Sequence, residues 1–168
     1  MATIIDSLND NAVDFCNKTA LRYNHQSFPY SFVLDSSDKF AQGLKNLNFQ
    51  KGDKIILLLP MIPELFTAYY GVLKSCCRVI PLNCNLKSSD LKHVIVDSNV
   101  QVIIFWERFE KKLIFILDQI DINPTLIQVG SKNHSKYHDF SKIVDSSVSI
   151  DVDEYPKEND EALILYSS

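Results

Sequence analysis

A chain of 168 residues is long enough to bury one sizeable core, and nothing in it demands a second. With 46% hydrophobic and 23% charged residues and a net charge of -4 from scattered acids and bases, it has the composition of an ordinary folded domain. The balance excludes a basic nucleic-acid binder: the seventeen Lys and Arg residues form no stripe, and Lys111-Lys112 is their only adjacent pair, expected on a solvated helix face.

In chain order, Ile4, Ile5, Leu8, Ala12, Phe15 and Cys16 recur at near-helical spacing over residues 3–17. They predict an amphipathic helix packed on the sheet that follows. Leu21-Arg22-Tyr23 and Ser27-Phe28-Pro29-Tyr30 flank the polar Asn24-His25-Gln26 and predict a hairpin. Val33, Phe40, Leu44 and Leu47 share one face of a helix over about residues 32–47, closed by the Asn48 to Asp53 segment with Gly52.

Five short apolar runs follow, Ile55 to Leu59, Arg78 to Leu82, Val100 to Phe105, Thr125 to Val129 and Ala162 to Tyr166. Unbroken rather than alternating runs predict strands buried on both faces. Three helices separate the first four runs. The first opens at Pro63 and carries Leu65, Tyr69, Val72 and Leu73; the second covers about Ser89 to Ser98, with Asp90 in its first turn and Leu91, Val94 and Ile95 inside; the third covers about Glu107 to Ile120. Gly130 to Pro156 reads as a long loop with a short helix around Phe140, Ile143 and Val144. The alternation predicts an α/β fold, a largely parallel sheet with helices on both faces, as one domain over 1–168 preceded by a helix and a hairpin.

Residues able to do chemistry are few. Cys16, Cys76, Cys77 and Cys84 lack the spacing of zinc knuckles or redox pairs and are expected to be reduced, buried small hydrophobes. His25, His93, His134 and His138 have no nucleophile at a motif spacing. His134 and His138 stand four apart without the glutamate of a metalloprotease, so no metal site is expected. Asp151, Asp153 and Glu154 lack calcium-loop spacing and read as a solvated loop, and Trp106 reads as a packing anchor. The four glycines form no Gly-x-Gly-x-x-Gly turn, which speaks against a dinucleotide-binding domain.

Several segments, in this order and spacing, resemble the adenylate-forming enzymes: acyl-CoA synthetases, adenylation domains of peptide synthetases, and luciferases. They are Gly52 to Pro60, Pro63-Glu64-Leu65, Ala68 to Lys74, Val79-Ile80-Pro81-Leu82-Asn83, Leu86 to Leu91, Asp97 to Ile104, and Asn159 to Ser168. The Ile80-Pro81-Leu82-Asn83 wording is closer to acyl-CoA synthetases. In that family the last segment continues as Gly-Thr-Thr-Gly-x-Pro-Lys-Gly, a loop that holds the phosphates of ATP. The resemblance carries only Ser167 and Ser168 over as cofactor-binding residues, assigns no catalytic residue to this chain, and implies an N-terminal fragment cut at the start of the phosphate loop.

The resemblance further implies ATP and magnesium for the whole enzyme, with CoA as co-substrate, and none of these in the fragment, which is expected to be inactive alone. Its partner would be the remainder of the same enzyme, with self-association through apolar surface that the remainder would cover. Two departures stand out. Pro29 and Phe32 replace the Thr and Glu that cap the second helix in many members, which predicts a loss of about 1 kcal/mol at its start. Cys76 and Cys77 stand where the family typically has Gly-Ala. A peptide-synthetase fragment and a short non-catalytic binding or assembly module on the same scaffold are the alternatives. With no secretory signal and no apolar stretch near the roughly 20 residues needed to span a bilayer, a cytoplasmic location is expected.

Overall fold

The computed structural model describes residues 3–131, 136–147 and 156–167. The chain opens with α1 (Ile4–Asp14), started by a reciprocal cap in which the Asp6 amide donates to the Thr3 hydroxyl and the Asp6 carboxylate accepts from the Thr3 amide. Those bonds hold the Asp6 carboxyl below its ordinary value. Ile5, Leu8 and Ala12 are buried as expected, but the helix ends at Asp14, leaving Phe15 40% exposed and Cys16 exposed. The helix packs chiefly on α2 and α3 rather than on the sheet, because that helix pair already covers the sheet face.

β1 (Thr19–Tyr23) and β2 (Gln26–Pro29) form the expected antiparallel hairpin. Its turn needs two left-handed residues, and without glycine these are Asn24 at φ 45° and His25 at φ 65°. α2 (Tyr30–Asn46) starts two residues earlier than expected, and Pro29 supplies no side-chain cap. The first two amides are nonetheless paired: Tyr30 donates to the Lys18 carbonyl and Ser31 to the Cys16 carbonyl, both at 3.1 Å. The turn after α1 therefore serves as the cap.

β3 (Lys54–Leu58), α3 (Pro63–Lys74), β4 (Arg78–Pro81), α4 (Ser88–Ser98), β5 (Val102–Trp106), a 3₁₀ turn (Glu107–Phe109) with α5 (Glu110–Leu117), and β6 (Thr125–Val129) follow in alternation. A two-residue β7 (His138–Asp139) leads into α6 (Phe140–Ser146). All five strands are parallel, in the order β4-β3-β5-β6-β7. Alternate strand residues feed two cores. Ile55, Leu57, Val102 and Ile104 meet α2, α3 and α6 through Phe40, Leu44, Val72 and Phe140. Ile56, Leu58, Ile103 and Phe105 meet α4 and α5 through Leu91, Ile95, Leu113 and Ile116. Burial on both faces accounts for the unbroken apolar runs.

The fifth strand is not the one expected. Ala162 to Tyr166 forms a single parallel bridge, Val79 to Leu163, at the outer edge of β4, with Leu163 40% and Leu165 72% exposed. The Val79 amide donates to the Ala162 carbonyl and the Ile164 amide to the Val79 carbonyl, each at 2.9 Å. The next rung would need an amide at position 81, where proline has none. β7 takes the fifth place instead, at the opposite edge beside β6.

Candidate functional site

The segment that carries the candidate phosphate-binding residue runs along the outer edge of β4. Two ion pairs hold its beginning: Lys51 to Asp160 at 2.7 Å and Arg78 to Glu161 at 2.8 Å. Asp160 also closes a local turn by accepting from the Lys157 amide at 2.8 Å, and together these donors hold its carboxyl below the ordinary value. Leu163 and Leu165 face outward, while Ile164 and Tyr166 pack on the core beneath α4 and α5. The Tyr166 hydroxyl donates to Asp97 in the last turn of α4 at 2.7 Å. Desolvation, reinforced by that carboxylate, pushes the phenol up to about 12.

Ser167 follows, exposed, its hydroxyl available to a ligand, whereas Ser168 lies outside the described residues. A phosphate cradle needs several convergent donors and closely approaching backbone. One exposed hydroxyl does not supply it, so ATP does not fit the described residues by themselves. Nor do three or more His, Cys, Asp or Glu side chains gather among them in a way that could hold a metal ion. His25, His93 and His138 are all exposed and lie on different elements, while His134, Asp151, Asp153 and Glu154 fall outside the described residues.

Beside the segment's start, the end of α3, the start of α1 and residues 156–162 enclose a cavity of about 240 Å³ lined in part by Ile5, Leu73, Cys76, Cys77 and Ala162. Cys76 sits at φ 58° as the residue that closes α3: its amide donates to the Leu73 carbonyl at 3.0 Å, and the Cys77 amide to Val72 at 3.2 Å. The left-handed backbone explains why a glycine suits this position. Burial pushes the Cys77 thiol up to about 11, which suits a packed hydrophobe and not a nucleophile. Cys84, half-buried, is also held above its ordinary value, chiefly by desolvation.

Three polar features were not anticipated. Lys74, 1% exposed, pairs at 2.5 Å with Asp38 of α2, and desolvation holds its ammonium below the ordinary lysine value in spite of that partner. Lys112 is not merely solvated, since its ammonium donates to the Leu86 carbonyl. The Asp97 to Tyr166 bond spans 69 residues of chain, and no spacing rule could have foreseen it. Trp106 does anchor packing, edge-on to Phe109 with the Arg108 guanidinium 4.5 Å from its ring centre.

Comparison with known proteins agrees with this architecture. A family described as AMP-binding enzyme matches residues 8–168. A long-chain-fatty-acid–CoA ligase of Bacillus subtilis is 31% identical over 123 residues, covering 70% of this chain and 22% of that protein. An uncharacterised acyl–CoA ligase of the same organism is 32% identical over 97 residues, covering 55% of this chain and 18% of its own length. The chain thus spans about a fifth of these relatives. Among solved structures, an anthranilate CoA ligase in complex with anthranoyl-AMP superposes with a TM-score of 0.91 at 21% identity over 98% of this chain and 32% of that one. A long-chain-fatty-acid-CoA ligase from Archaeoglobus fulgidus gives 0.83 at 20% identity over 97% of this chain and 34% of that one. At such identities the structures establish the fold, and the family match establishes kinship: this chain belongs to the AMP-binding enzyme family.

Proposed function

We propose that this chain is the N-terminal part of an ATP-dependent acyl-CoA synthetase acting on a fatty acid or a related carboxylate. The observation that carries the reading is the family match over residues 8–168 joined to 31% identity with a fatty-acid–CoA ligase. In the proposed reaction a substrate carboxylate oxygen attacks the α-phosphorus of ATP, forming an acyl adenylate and expelling pyrophosphate. The CoA thiol then loses its proton and attacks the acyl carbonyl, and AMP leaves as the thioester forms. Magnesium would neutralise phosphate charge in the first step; no cluster of three or more His, Cys, Asp or Glu side chains among the described residues is placed to hold it.

The part assigned to this chain is structural. Its parallel sheet presents all strand ends on one side, where open α/β sheets receive ligands. It also delivers the Ser167 hydroxyl, which is assigned to the ATP phosphates together with Ser168. The remaining phosphate-binding groups, the magnesium ligands and the acyl pocket are assigned to sequence following Ser168. Exposed apolar side chains such as Met61 and Leu165 are then surfaces that the remainder covers, and they favour self-association of this chain alone.

ATP–pyrophosphate exchange tests the reading. The protein comprising this chain and its downstream sequence should exchange label when a medium- or long-chain fatty acid is added, and the 168-residue chain alone should not. Stimulation by amino acids and not by fatty acids would transfer the assignment to a peptide synthetase. Exchange by the 168-residue chain alone would refute the division of labour.

A further inference from the structure

We infer that Tyr166 and Asp97 form a positioning pair whose hydrogen bond takes over from the sheet ladder after Ile164 and fixes the course of the chain to Ser167. The ladder on the outer side of β4 consists of two backbone bonds, both on Val79, and Pro81 prevents a third. From Leu165 to Ser167 no backbone hydrogen bond joins the chain to any other described residue. Leu165 points outward at 72% exposure and contributes no anchorage. What holds this stretch is the Tyr166 ring on the core beneath α4 and α5 and its hydroxyl, which donates to Asp97 at 2.7 Å and also meets the Ser98 side chain. The acceptor is exposed, but the helix that carries it is anchored two residues earlier by Ile95, which is fully buried. Ser98, next to Asp97, is buried, and its carbonyl accepts from the Lys54 ammonium at 2.7 Å, tying the end of α4 to β3.

Tyr166 immediately precedes Ser167, so a tilt of its ring moves the serine directly. Neither Tyr166 nor Asp97 is assigned contact with substrate; both act through the path of the backbone. The functional consequence rests on the ligase reading above: loss of the pair should weaken ATP binding more than it slows the chemistry.

Two measurements separate the positioning role from the ligase reading. In the 168-residue chain, amide hydrogen exchange is followed for Ile164, whose amide is bonded to Val79, with Ile104 of β5 as the core reference. Tyr166→Phe and Asp97→Ala should each accelerate exchange at Ile164 by about fivefold, equivalent to loss of one ordinary hydrogen bond, and leave Ile104 unchanged. Asp97→Asn, which retains an acceptor oxygen, should restore most of the protection. In the protein with its downstream sequence, the same substitutions should raise KM for ATP by about fivefold with much less change in kcat.

Unchanged protection of Ile164 in Tyr166→Phe overturns the positioning pair. Equal losses in kcat with KM for ATP unmoved also overturn it, since that pattern marks general damage to the fold. If the exchange effect appears but the wild-type protein activates no carboxylate, the ligase reading falls and the positioning pair stands.

Discussion

The Lys74 ammonium lies 2.5 Å from a carboxylate oxygen of Asp38 and is 1% exposed, so a charge pair joins α3 to α2 inside the protein. The two partners are not equivalent, because the Asp38 side chain keeps 19% of its surface in water. Removing the carboxylate strands a buried cation, whereas removing the ammonium leaves an anion that water can reach.

Asp38→Ala is therefore expected to destabilise by about 3 kcal/mol, Lys74→Met by less, and the pair Asp38→Leu with Lys74→Met by less than Asp38→Ala alone. Urea unfolding checks the order. Burial already holds the Lys74 value below 10.5, so the sign of the pH effect is fixed. The cost of burying the charged form is present at neutral pH and disappears as pH rises through the folded value toward 10.5, so the Asp38→Ala defect should shrink in that direction. A defect that grew with pH would show that Lys74 is not the stranded charge.

The hairpin turn offers a gain. His25 is exposed and held at φ 65°, a region that costs a residue with a side chain about 1–2 kcal/mol relative to glycine. His25→Gly creates the Asn-Gly turn that this geometry favours and should raise stability by about 1 kcal/mol, read as a higher midpoint in urea. It should leave any ligase activity unaltered, since His25 has no role in the proposed site.

At α3, Gly71 allows a close approach to α2. A Cβ there would lie 2.8 Å from Cδ1 of Phe40 and 3.0 Å from the Ser37 carbonyl oxygen. Since the obstruction includes backbone of α2, Gly71→Ala should destabilise by about 2 kcal/mol despite alanine's better helix propensity. Thermal unfolding would register the loss.

The Cys77 thiol should leave a mark at high pH. In the unfolded chain it ionises near 9.0, in the fold near 11. Between those values the unfolded state has lost a proton that the folded state keeps, so stability falls as pH rises, by about 3 kcal/mol in all. Other groups also titrate in alkali, so the comparison that isolates Cys77 is wild type against Cys77→Ala. The variant should lose less stability than the wild type between pH 9 and 11.

Much of the fold was legible because burial on both faces writes itself into composition. Runs such as Ile55 to Leu58 and Val102 to Phe105 have no polar side to display. The last run has the same composition, but its outcome depends on its neighbour: Pro81 denies the rung that would have made Ala162 to Tyr166 a strand. β7 leaves no mark in the sequence, since two residues, His138 and Asp139, carry no periodicity. The lost cap on α2 was visible at Pro29, but its replacement by the Lys18 and Cys16 carbonyls arises only when α1 and β1 meet. At the candidate site, Ser167 was legible through family resemblance alone. Lys74 and Asp38 stand 36 residues apart, and Asp97 meets Tyr166 only in the folded chain.

Pro81 has an effect beyond the segment it cuts short. An outermost strand with free amides and carbonyls is a template on which identical chains can stack into extended cross-β assemblies. β4 spans only Arg78 to Pro81, one rung of its outer side is already taken by Ala162 and Ile164, and its last position has no donor. A second molecule would find too few bonds there to propagate. The residue that limits the native sheet thus also withholds from that side a donor that a second molecule could use.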